Sequence, residues 1–210
     1  MKVKVCGLKY QENIFDVASL MPEFIGFIFY EKSPRFVENE LNSDILNQLP
    51  KNINKVGVFV NSNLSYILDK VNKYQLDYVQ LHGSESVSFC KELNNNNIKI
   101  IKAFQIREEF DFNQLNEFKT FVNYFLFDTK TKGYGGSGKK FIWSVLKEYD
   151  NEKPFLLSGG ISYEDANTIK NNSLLKELNI IALDINSCFE ALPAVKNAQL
   201  ISNFLKKIKE

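Results

Sequence analysis

The sequence is poor in the residues that build metal sites and crosslinks. Its 210 residues include one histidine, His82, and three cysteines, Cys6, Cys90 and Cys188. A disulfide framework needs an even set of cysteines in a short chain, and a histidine metal site needs several ligands. The composition therefore argues against a disulfide scaffold and against metal-dependent chemistry.

The sequence also lacks an excess of charge and a long apolar segment. Its 26 basic residues face 25 acidic ones, so that the net charge is +1, and like charges do not cluster into blocks. No run of roughly 18 apolar residues occurs, and the first residues hold no apolar signal core. We therefore expect a cytoplasmic protein that binds a small molecule and neither nucleic acid nor a membrane.

What the chain does contain is a regular alternation of strand-like and helix-like segments. With 44% hydrophobic residues, it can bury a sizeable core as one domain spanning residues 1–210. Eight β-branched or aromatic runs alternate with longer stretches of helical period. The runs begin near Val3, Phe24, Lys55, Asp77, Lys99, Asn123, Pro154 and Ile180. This pattern predicts the α/β class and a single (β/α)8 TIM barrel, with an open doubly wound sheet as the alternative.

Three other segments carry specific structural predictions. Residues 65–74 place apolar side chains on one face and predict a helix. Residues 194–207 repeat that pattern and predict a last helix that covers the barrel. The four asparagines at 94–97 predict the loop that ends the fourth helix.

Two residues at predicted strand ends are candidates for catalysis, because reacting groups in such barrels lie at the carboxyl ends of the strands. Cys6 ends the first strand and Asp128 ends the sixth. The cysteine is either a small buried side chain or a thiolate that acts as a general base. The aspartate is either a loop cap or, since an apolar wall disfavours its charged form, a general acid.

The last two predicted strands end in segments typical of a phosphate site, LLSGGIS (156–162) and ALDINSCFE (182–190). The loops after strands seven and eight usually cradle a phosphate in this fold. The backbone N–H groups that would face it belong to Gly159, Gly160, Ser187 and Cys188. A pair of glycines alone is a weak signal, and both loops in the correct order are a stronger one.

Four side chains near strand ends are candidates for substrate binding. Arg35, after the second strand, would hold a carboxylate with two hydrogen bonds, and a solvated surface arginine is the alternative. Gln80 and His82 end the fourth strand, where a lone histidine is more often a hydrogen-bonded structural residue. Asp184, in the eighth strand, completes the set.

Seven segments, in order along nearly the whole chain, resemble the phosphoribosylanthranilate isomerase family. They are KVCGLK (4–9), GFIFYEKSPRFV (26–37), KVGVFVN (55–61), DYVQLHGSES (77–86), FDTKTKGYGGSGKKFIW (127–143), LLSGGIS (156–162) and DINSCFE (184–190). The resemblance implies a minimal (β/α)8 barrel that works without a cofactor. For the oligomeric state we expect a monomer, with a homodimer as the alternative.

The resemblance also implies a reaction, the Amadori rearrangement of N-(5′-phosphoribosyl)anthranilate to 1-(2-carboxyphenylamino)-1-deoxyribulose 5-phosphate in tryptophan biosynthesis. Asp128 would protonate the furanose ring oxygen as general acid, and Cys6 would remove the C2′ proton as general base. By the same resemblance Arg35 would hold the anthranilate carboxylate. Gly160 and the N–H groups around Ser187 would hold the phosphate.

One position departs from the family, whose eighth loop usually reads Ser-Gly-Val-Glu where this chain has SCFE at 187–190. If that position needs a positive φ or a close approach to the phosphate, the Cβ of Cys188 costs about 1 kcal/mol and weakens binding. Because the first and eighth strands of a closed barrel are neighbours, Cys6 and Cys188 are also a candidate disulfide that would remove the base. Cytosolic reducing conditions oppose such a bond.

Three other functions are compatible with a barrel of this kind. The Amadori isomerase of histidine biosynthesis resembles this plan but has aspartate at the position of Cys6. Metal-dependent pentose-phosphate epimerases need several histidine and carboxylate ligands, and the chain has one histidine. A catalytically silent barrel would serve only as a binding module. The presence of both Cys6 and Asp128 at strand ends argues against that last alternative.

Overall fold

The computed structural model describes residues 1–38, 40–128 and 143–209, and its centre is a closed barrel of eight parallel strands. The strands are β1 (Lys2–Cys6), β2 (Phe24–Ile28), β3 (Asn54–Phe59), β4 (Tyr78–Leu81), β5 (Ile100–Gln105), β6 (Tyr124–Asp128), β7 (Phe155–Ser158) and β8 (Ile180–Ile185). Pairing of β1 with β8 closes the barrel, with Val5 opposite Ile185. The predicted TIM barrel is confirmed, and the open-sheet alternative is wrong.

Helices lie between the strands and pack on the outside of the barrel. They are α1 (Gln11–Ser19), α2 (Ser43–Asn47), α3 (Leu64–Tyr74), α4 (Val87–Asn95), α5 (Asp165–Asn171), α6 (Ser173–Glu177) and α7 (Ala198–Lys209). The Asn63 side chain caps α3 by accepting the N–H of Tyr66, so the helix predicted at 65–74 is confirmed. The asparagines at 94–97 end α4 as predicted. Within the described ranges, no helix has the length and apolar character that a bilayer span requires.

The last helix begins later than the sequence predicts. The helix expected from residue 194 starts at Ala198 instead. The chain after β8 forms a 3₁₀ turn, Ser187–Phe189, and then a two-stranded antiparallel ribbon, β9 (Glu190–Leu192) and β10 (Val195–Lys196). Ala194 has a φ of 68° at the turn between β9 and β10, a left-handed conformation through which an α-helix does not continue. Because the ribbon follows β8 closely, its side chains reach the barrel mouth.

Aromatic side chains fill the outer face of the sheet around β6. A 3₁₀ turn, Phe112–Leu115, lies between β5 and β6, and another, Trp143–Glu148, precedes β7. The Phe127 ring has its centroid 5.9 Å from that of Phe112, 5.0 Å from that of Tyr149 and 4.5 Å from that of Phe155. These aromatic residues therefore pack the space between the sheet and the outer layer.

The interior of the barrel holds a second, smaller apolar cluster. Its buried members are Phe24, Val56, Ile101, Ala103, Leu126, Leu156 and Ala182. Val3 and Val5 of β1 belong to the outer core instead. Since successive side chains of a strand point to opposite faces, Lys4 and Cys6 point into the barrel. By the same alternation, Asp128 follows the inward Leu126 of β6, and the inward positions become polar toward the carboxyl ends of the strands.

Candidate active site

Cys6 lies at the carboxyl end of β1 and is buried, with 4% of its surface exposed. Its partner on β2 is Gly26. A Cβ placed on Gly26 would lie 2.8 Å from the Cys6 Sγ and 3.3 Å from the Lys4 Nζ, so the glycine leaves the room that both groups occupy. Burial raises the pKa of the Cys6 thiol, and the charge of Lys4 opposes this rise without cancelling it. The protonated thiol is therefore the favoured form in the free protein.

Asp184 lies inside the barrel and is bound on both carboxylate oxygens by protein groups. Lys4 Nζ donates to Oδ1 at 2.7 Å, and the Ser158 hydroxyl donates to Oδ2 at 3.2 Å. Burial alone would lower the pKa of Lys4, but the attraction of Asp184 raises it overall, so the pair is ionic. Asp184 was predicted to bind substrate, which stays a prediction, and its position connects the cation beside Cys6 to the end of β7.

Asp128 ends β6 and faces a histidine from across the barrel mouth. Its Oδ2 lies 3.6 Å from His82 Nε2, and both side chains are partly exposed. Gln80, buried below, has its Nε2 2.9 Å from His82 Nδ1. The contact with Gln80 holds the imidazole ring so that its Nε2 points toward Asp128. Of the predicted substrate-binding pair, the structure therefore places His82 beside the candidate acid and Gln80 behind it.

Arg35 reaches the mouth, but two of its five donors are already engaged. Its Nε and Nη2 donate to the two carboxylate oxygens of Glu190, at 2.8 and 2.5 Å. Glu190 Oε1 also accepts from Lys196 Nζ at 2.6 Å. Burial would raise the pKa of Glu190, yet the hydrogen bonds from Arg35 and Lys196 hold it below its ordinary value. A substrate carboxylate would therefore meet the remaining edge of the guanidinium.

The two predicted phosphate loops lie next to each other. Gly159 and Gly160 have φ values of 113° and 70°. A Cβ on Gly160 would meet nothing within 4 Å, so backbone conformation rather than lack of space requires glycine there. Ser187 and Cys188 are exposed on a 3₁₀ turn after β8. The Cys188 Sγ lies 3.5 Å from the Gly160 carbonyl oxygen, which brings the two loops together.

Two expectations about Cys188 can be compared with its conformation. Cys188 does not belong to the residues with a positive φ, so its side chain imposes no left-handed strain on the loop. Cys6 and Cys188 are both free thiols, one buried and the other exposed, and the candidate disulfide is not formed. The glycine-rich stretch at 133–140 lies outside the described residues.

Three charged residues of the mouth were missed by the sequence analysis, namely Lys4, Glu190 and Lys196. A signal for Lys4 existed, because lysine and valine alternate at the start of the chain. Such alternation is unusual for a parallel strand, which is normally apolar on both faces. No comparable signal marks Glu190, whose partner Arg35 is 155 positions away, or Lys196, which reaches Glu190 because the ribbon of β9 and β10 turns back on itself.

A second buried ion pair supports the rim that carries His82. Lys102 Nζ donates to Glu85 Oε2 at 2.9 Å and to the Gly83 carbonyl oxygen at 2.8 Å. Glu85 in turn accepts the backbone N–H of Asn61 at 2.8 Å. These bonds tie together the ends of β3, β4 and β5. A cavity of about 300 Å³ opens at this rim and includes His82 in its wall.

We expect Glu85→Gln to lower the free energy of unfolding by about 3–5 kcal/mol, because it leaves the Lys102 ammonium buried without a counter-charge. Urea denaturation followed by circular dichroism measures this loss. Glu92→Gln is the matched control, since Glu92 is exposed on α4. A loss below about 1 kcal/mol for Glu85→Gln would mean that the pair does not hold the rim together.

The parallel barrel and the ionisable groups gathered at the carboxyl ends of its strands define an enzyme of the (β/α)8 class. Among the described residues, no three histidine, cysteine or acidic side chains are grouped as metal ligands would be. A family model described as N-(5'phosphoribosyl)anthranilate (PRA) isomerase matches residues 3–207. The chain therefore belongs to the N-(5'-phosphoribosyl)anthranilate isomerase family. The alternatives from the histidine-pathway isomerase and epimerase families are wrong.

Individual relatives agree with this assignment. The N-(5'-phosphoribosyl)anthranilate isomerase of Parabacteroides distasonis is 46% identical over 212 residues, which cover 99% of this chain and 93% of the relative. A phosphoribosyl anthranilate isomerase solved with reduced 1-(o-carboxyphenylamino)-1-deoxyribulose 5-phosphate superposes with a TM-score of 0.82 at 29% identity, covering 100% and 98% of the two chains. A structure of monomers of the dimeric Thermotoga maritima enzyme gives a TM-score of 0.79 at 29% identity, with the same coverage.

These relatives bear on the predicted partners in different ways. The structure solved with reduced 1-(o-carboxyphenylamino)-1-deoxyribulose 5-phosphate contains a small phosphorylated ligand. The Thermotoga maritima enzyme is described as dimeric, whereas for this chain the monomer stays a prediction.

Proposed function

We propose that this chain isomerises N-(5'-phosphoribosyl)anthranilate to 1-(2-carboxyphenylamino)-1-deoxyribulose 5-phosphate in tryptophan biosynthesis, with residues 1–210 as one catalytic domain. The observation that supports this proposal is that a cysteine and an aspartate end strands around one barrel mouth. Cys6 ends β1 and Asp128 ends β6. In the closed barrel, β7 and β8 lie between the two residues on one side, and the four strands β2 to β5 lie between them on the other. They therefore approach a bound sugar from different directions.

In the first step, Asp128 acts as general acid. It gives its proton to the furanose ring oxygen while the bond from that oxygen to C1′ breaks. The lone pair of the anthranilate nitrogen forms the C1′=N bond of the resulting iminium. The carboxylate left on Asp128 then faces the Nε2 of His82, 3.6 Å away. In the tautomer that carries a hydrogen on Nε2, His82 favours the charge that develops on the acid.

In the second step, the Cys6 thiolate removes the proton from C2′. The electron pair of that C–H bond forms the C1′=C2′ double bond, and the π electrons of the iminium return to nitrogen. The product of this step is an enolamine. Its tautomerisation moves a proton to C1′ and takes one from the C2′ hydroxyl, which returns the two protein groups to their starting states. Each proton-transfer group is typically worth about 10²–10⁴-fold in rate.

Binding at both ends of the substrate would hold the reacting carbons between these groups. The adjoining loops with Gly160 and Ser187 present exposed backbone for the phosphate. At the other end, Arg35 would bind the anthranilate carboxylate with the donors that Glu190 leaves available. Remote binding of this kind supports catalysis because it fixes the geometry of the reacting atoms.

We expect Arg35→Ala to raise KM by roughly 10- to 100-fold, because a hydrogen bond to a charged group contributes about 1.5–3 kcal/mol. Its effect on kcat should be smaller, since Arg35 takes no part in proton transfer. Steady-state kinetics over a range of substrate concentrations separates the two constants. Lys91→Ala, which removes an exposed cation from α4 on the outside of the barrel, is the control. An unchanged KM in Arg35→Ala would place the carboxylate elsewhere.

The proposed activity is tested directly with the purified wild-type protein. Freshly generated phosphoribosylanthranilate is added in buffer that contains a metal chelator, and the loss of its fluorescence is followed. Mass spectrometry and NMR then identify the product as the aminoketose. Turnover to this product supports the proposal. An inert wild-type protein, or conversion only after metal is added, would instead favour a silent barrel or a different chemistry.

A further inference from the structure

A lysine lies inside the barrel, and neither proton transfer nor the proposed substrate contacts use it. Lys4 is fully buried, and its ammonium is 2.7 Å from the Asp184 carboxylate. It precedes Cys6 by two residues on β1, so both side chains point into the barrel. Burying an ammonium is costly even when it is paired. The cost of burying Lys4 directly beneath the candidate base therefore indicates that the lysine has a function there.

The glycine on the neighbouring strand brings the thiol and the ammonium together. Gly26 is the β2 partner of Cys6. The atoms nearest to a Cβ at that position would be the Cys6 Sγ, the Cys6 Cα and the Lys4 Nζ, at 2.8, 3.2 and 3.3 Å. The sulfur and the ammonium therefore border the same small space, which only a residue without a side chain leaves open.

Four charged groups face Cys6 from the elements packed around it. Lys4 comes from β1, Asp184 from β8, Lys196 from β10, and Arg35 from the loop after β2. Arg35 and Lys196 are both bonded to Glu190, and Lys4 is bonded to Asp184, so each of the three cations already has a carboxylate partner. Lys4 lowers the pKa of the thiol more than Lys196 does, while Asp184 raises it. Lys4 is therefore the main cation available to a thiolate at this position.

We propose that Lys4, held by Asp184, is a positioning residue that supplies the counter-charge for the Cys6 thiolate. The inference rests on the proposed role of Cys6 as the base. When the thiol releases its proton to solvent, the negative sulfur lies beside a fixed ammonium. When the sulfur later accepts the C2′ proton, that attraction is given up and Lys4 stays paired with Asp184. Lys4 itself transfers no proton.

The test follows the ionisation of Cys6 without turnover. The rate of alkylation by iodoacetamide is measured as a function of pH, and peptide mass spectrometry reads Cys6 separately from Cys90 and Cys188. We expect Lys4→Met to move the midpoint for Cys6 upward by about 1–3 pH units, as loss of a nearby opposite charge does. Asp184→Asn should move it downward, because it removes a negative charge beside the sulfur. Lys4→Arg should stay near the wild-type midpoint.

The control is Lys102→Met, which removes another buried and paired lysine at a different rim. It should leave the Cys6 midpoint unchanged, so a shift confined to the Lys4 and Asp184 variants supports the proposal. A wild-type midpoint in Lys4→Met, or an upward shift in Asp184→Asn, would overturn it. If circular dichroism shows that Lys4→Met does not fold, the proposal is tested by Asp184→Asn alone. A downward shift of its Cys6 alkylation midpoint supports the proposal, and an upward shift overturns it.

Turnover measurements separate the coupling of Lys4 to the Cys6 thiol from the proposed role of Cys6 as the base. If both hold, the pH profile of kcat/KM for Lys4→Met moves upward by the same amount as the alkylation midpoint. If Cys6→Ser keeps wild-type activity while the alkylation midpoints still shift, the coupling of Lys4 to the thiol stands and the assignment of Cys6 as the base fails. Shifted turnover profiles without shifted alkylation midpoints would overturn the coupling.

Discussion

Cys6→Ser is expected to lower kcat/KM for phosphoribosylanthranilate by at least about two orders of magnitude. A serine hydroxyl is too weakly acidic to ionise at this buried position, so the base for the C2′ proton is lost. The effect should fall mainly on kcat, because Cys6 holds neither the phosphate nor the carboxylate in the proposed complex. Steady-state turnover, followed by loss of fluorescence, measures both constants.

The control for this variant is Cys90→Ala, which changes a cysteine that is buried on α4 in the outer core, outside the barrel interior. It should retain activity near that of the wild type. Because burial raises the pKa of the Cys6 thiol, wild-type kcat/KM should rise with pH through the neutral range as the thiolate forms. A Cys6→Ser protein with more than about a tenth of wild-type kcat/KM would remove Cys6 from the mechanism.

Asp128→Asn is expected to lower kcat by about 10²–10⁴-fold. The amide has nearly the shape of the carboxyl group, but it cannot give up a proton to the ring oxygen. Ring opening is then the slow step, and the iminium should not accumulate. In Cys6→Ser, by contrast, ring opening is intact and the block comes afterwards. Rapid quenching with borohydride, which traps an iminium, therefore distinguishes the two variants by the amount of reduced open-chain product.

The control for Asp128→Asn is Asp16→Asn, which makes the same chemical change on the exposed surface of α1. It should leave kcat and KM near wild-type values. Equal amounts of trapped iminium in Cys6→Ser and Asp128→Asn would show that the two residues do not divide the reaction as proposed. Retention of most activity in Asp128→Asn would require another acid, and His82 would be the nearest candidate.

The strands and the candidate residues at their ends could be predicted from the sequence because each depends on a short local pattern. Each of the eight strands is a short run of apolar residues, and a barrel places the residues after such runs at one mouth. Cys6, Asp128 and the loops with Gly160 and Ser187 followed from this rule. The last helix was placed too early because helical periodicity at 194–197 did not reveal the turn at Ala194.

The charge pairs of the mouth could not be predicted from local sequence patterns. Arg35 was read as a free carboxylate-binding group, and the fold gives it Glu190, which is 155 positions away in the chain. Gln80 and His82 were recognised as possible substrate contacts, with a structural role as the alternative for the histidine, and the barrel places His82 opposite Asp128. Neither the pair of Arg35 and Glu190 nor the pair of His82 and Asp128 can be predicted from the local sequence, because their side chains meet only after the barrel closes.

The sequence by itself predicted a barrel, with an open sheet as the alternative, and the candidates for acid and base, since these depend on residue type and on spacing along the chain. The family was indicated by the resemblance of seven segments. Only the tertiary structure decided which charges surround the candidate acid and base. Lys4 and Asp184 are 180 positions apart and meet because β8 closes on β1. Gly26 leaves room for them beside Cys6 because its register on β2 places it opposite the thiol. Electrostatic interactions depend on such distances, and closure of the barrel sets them.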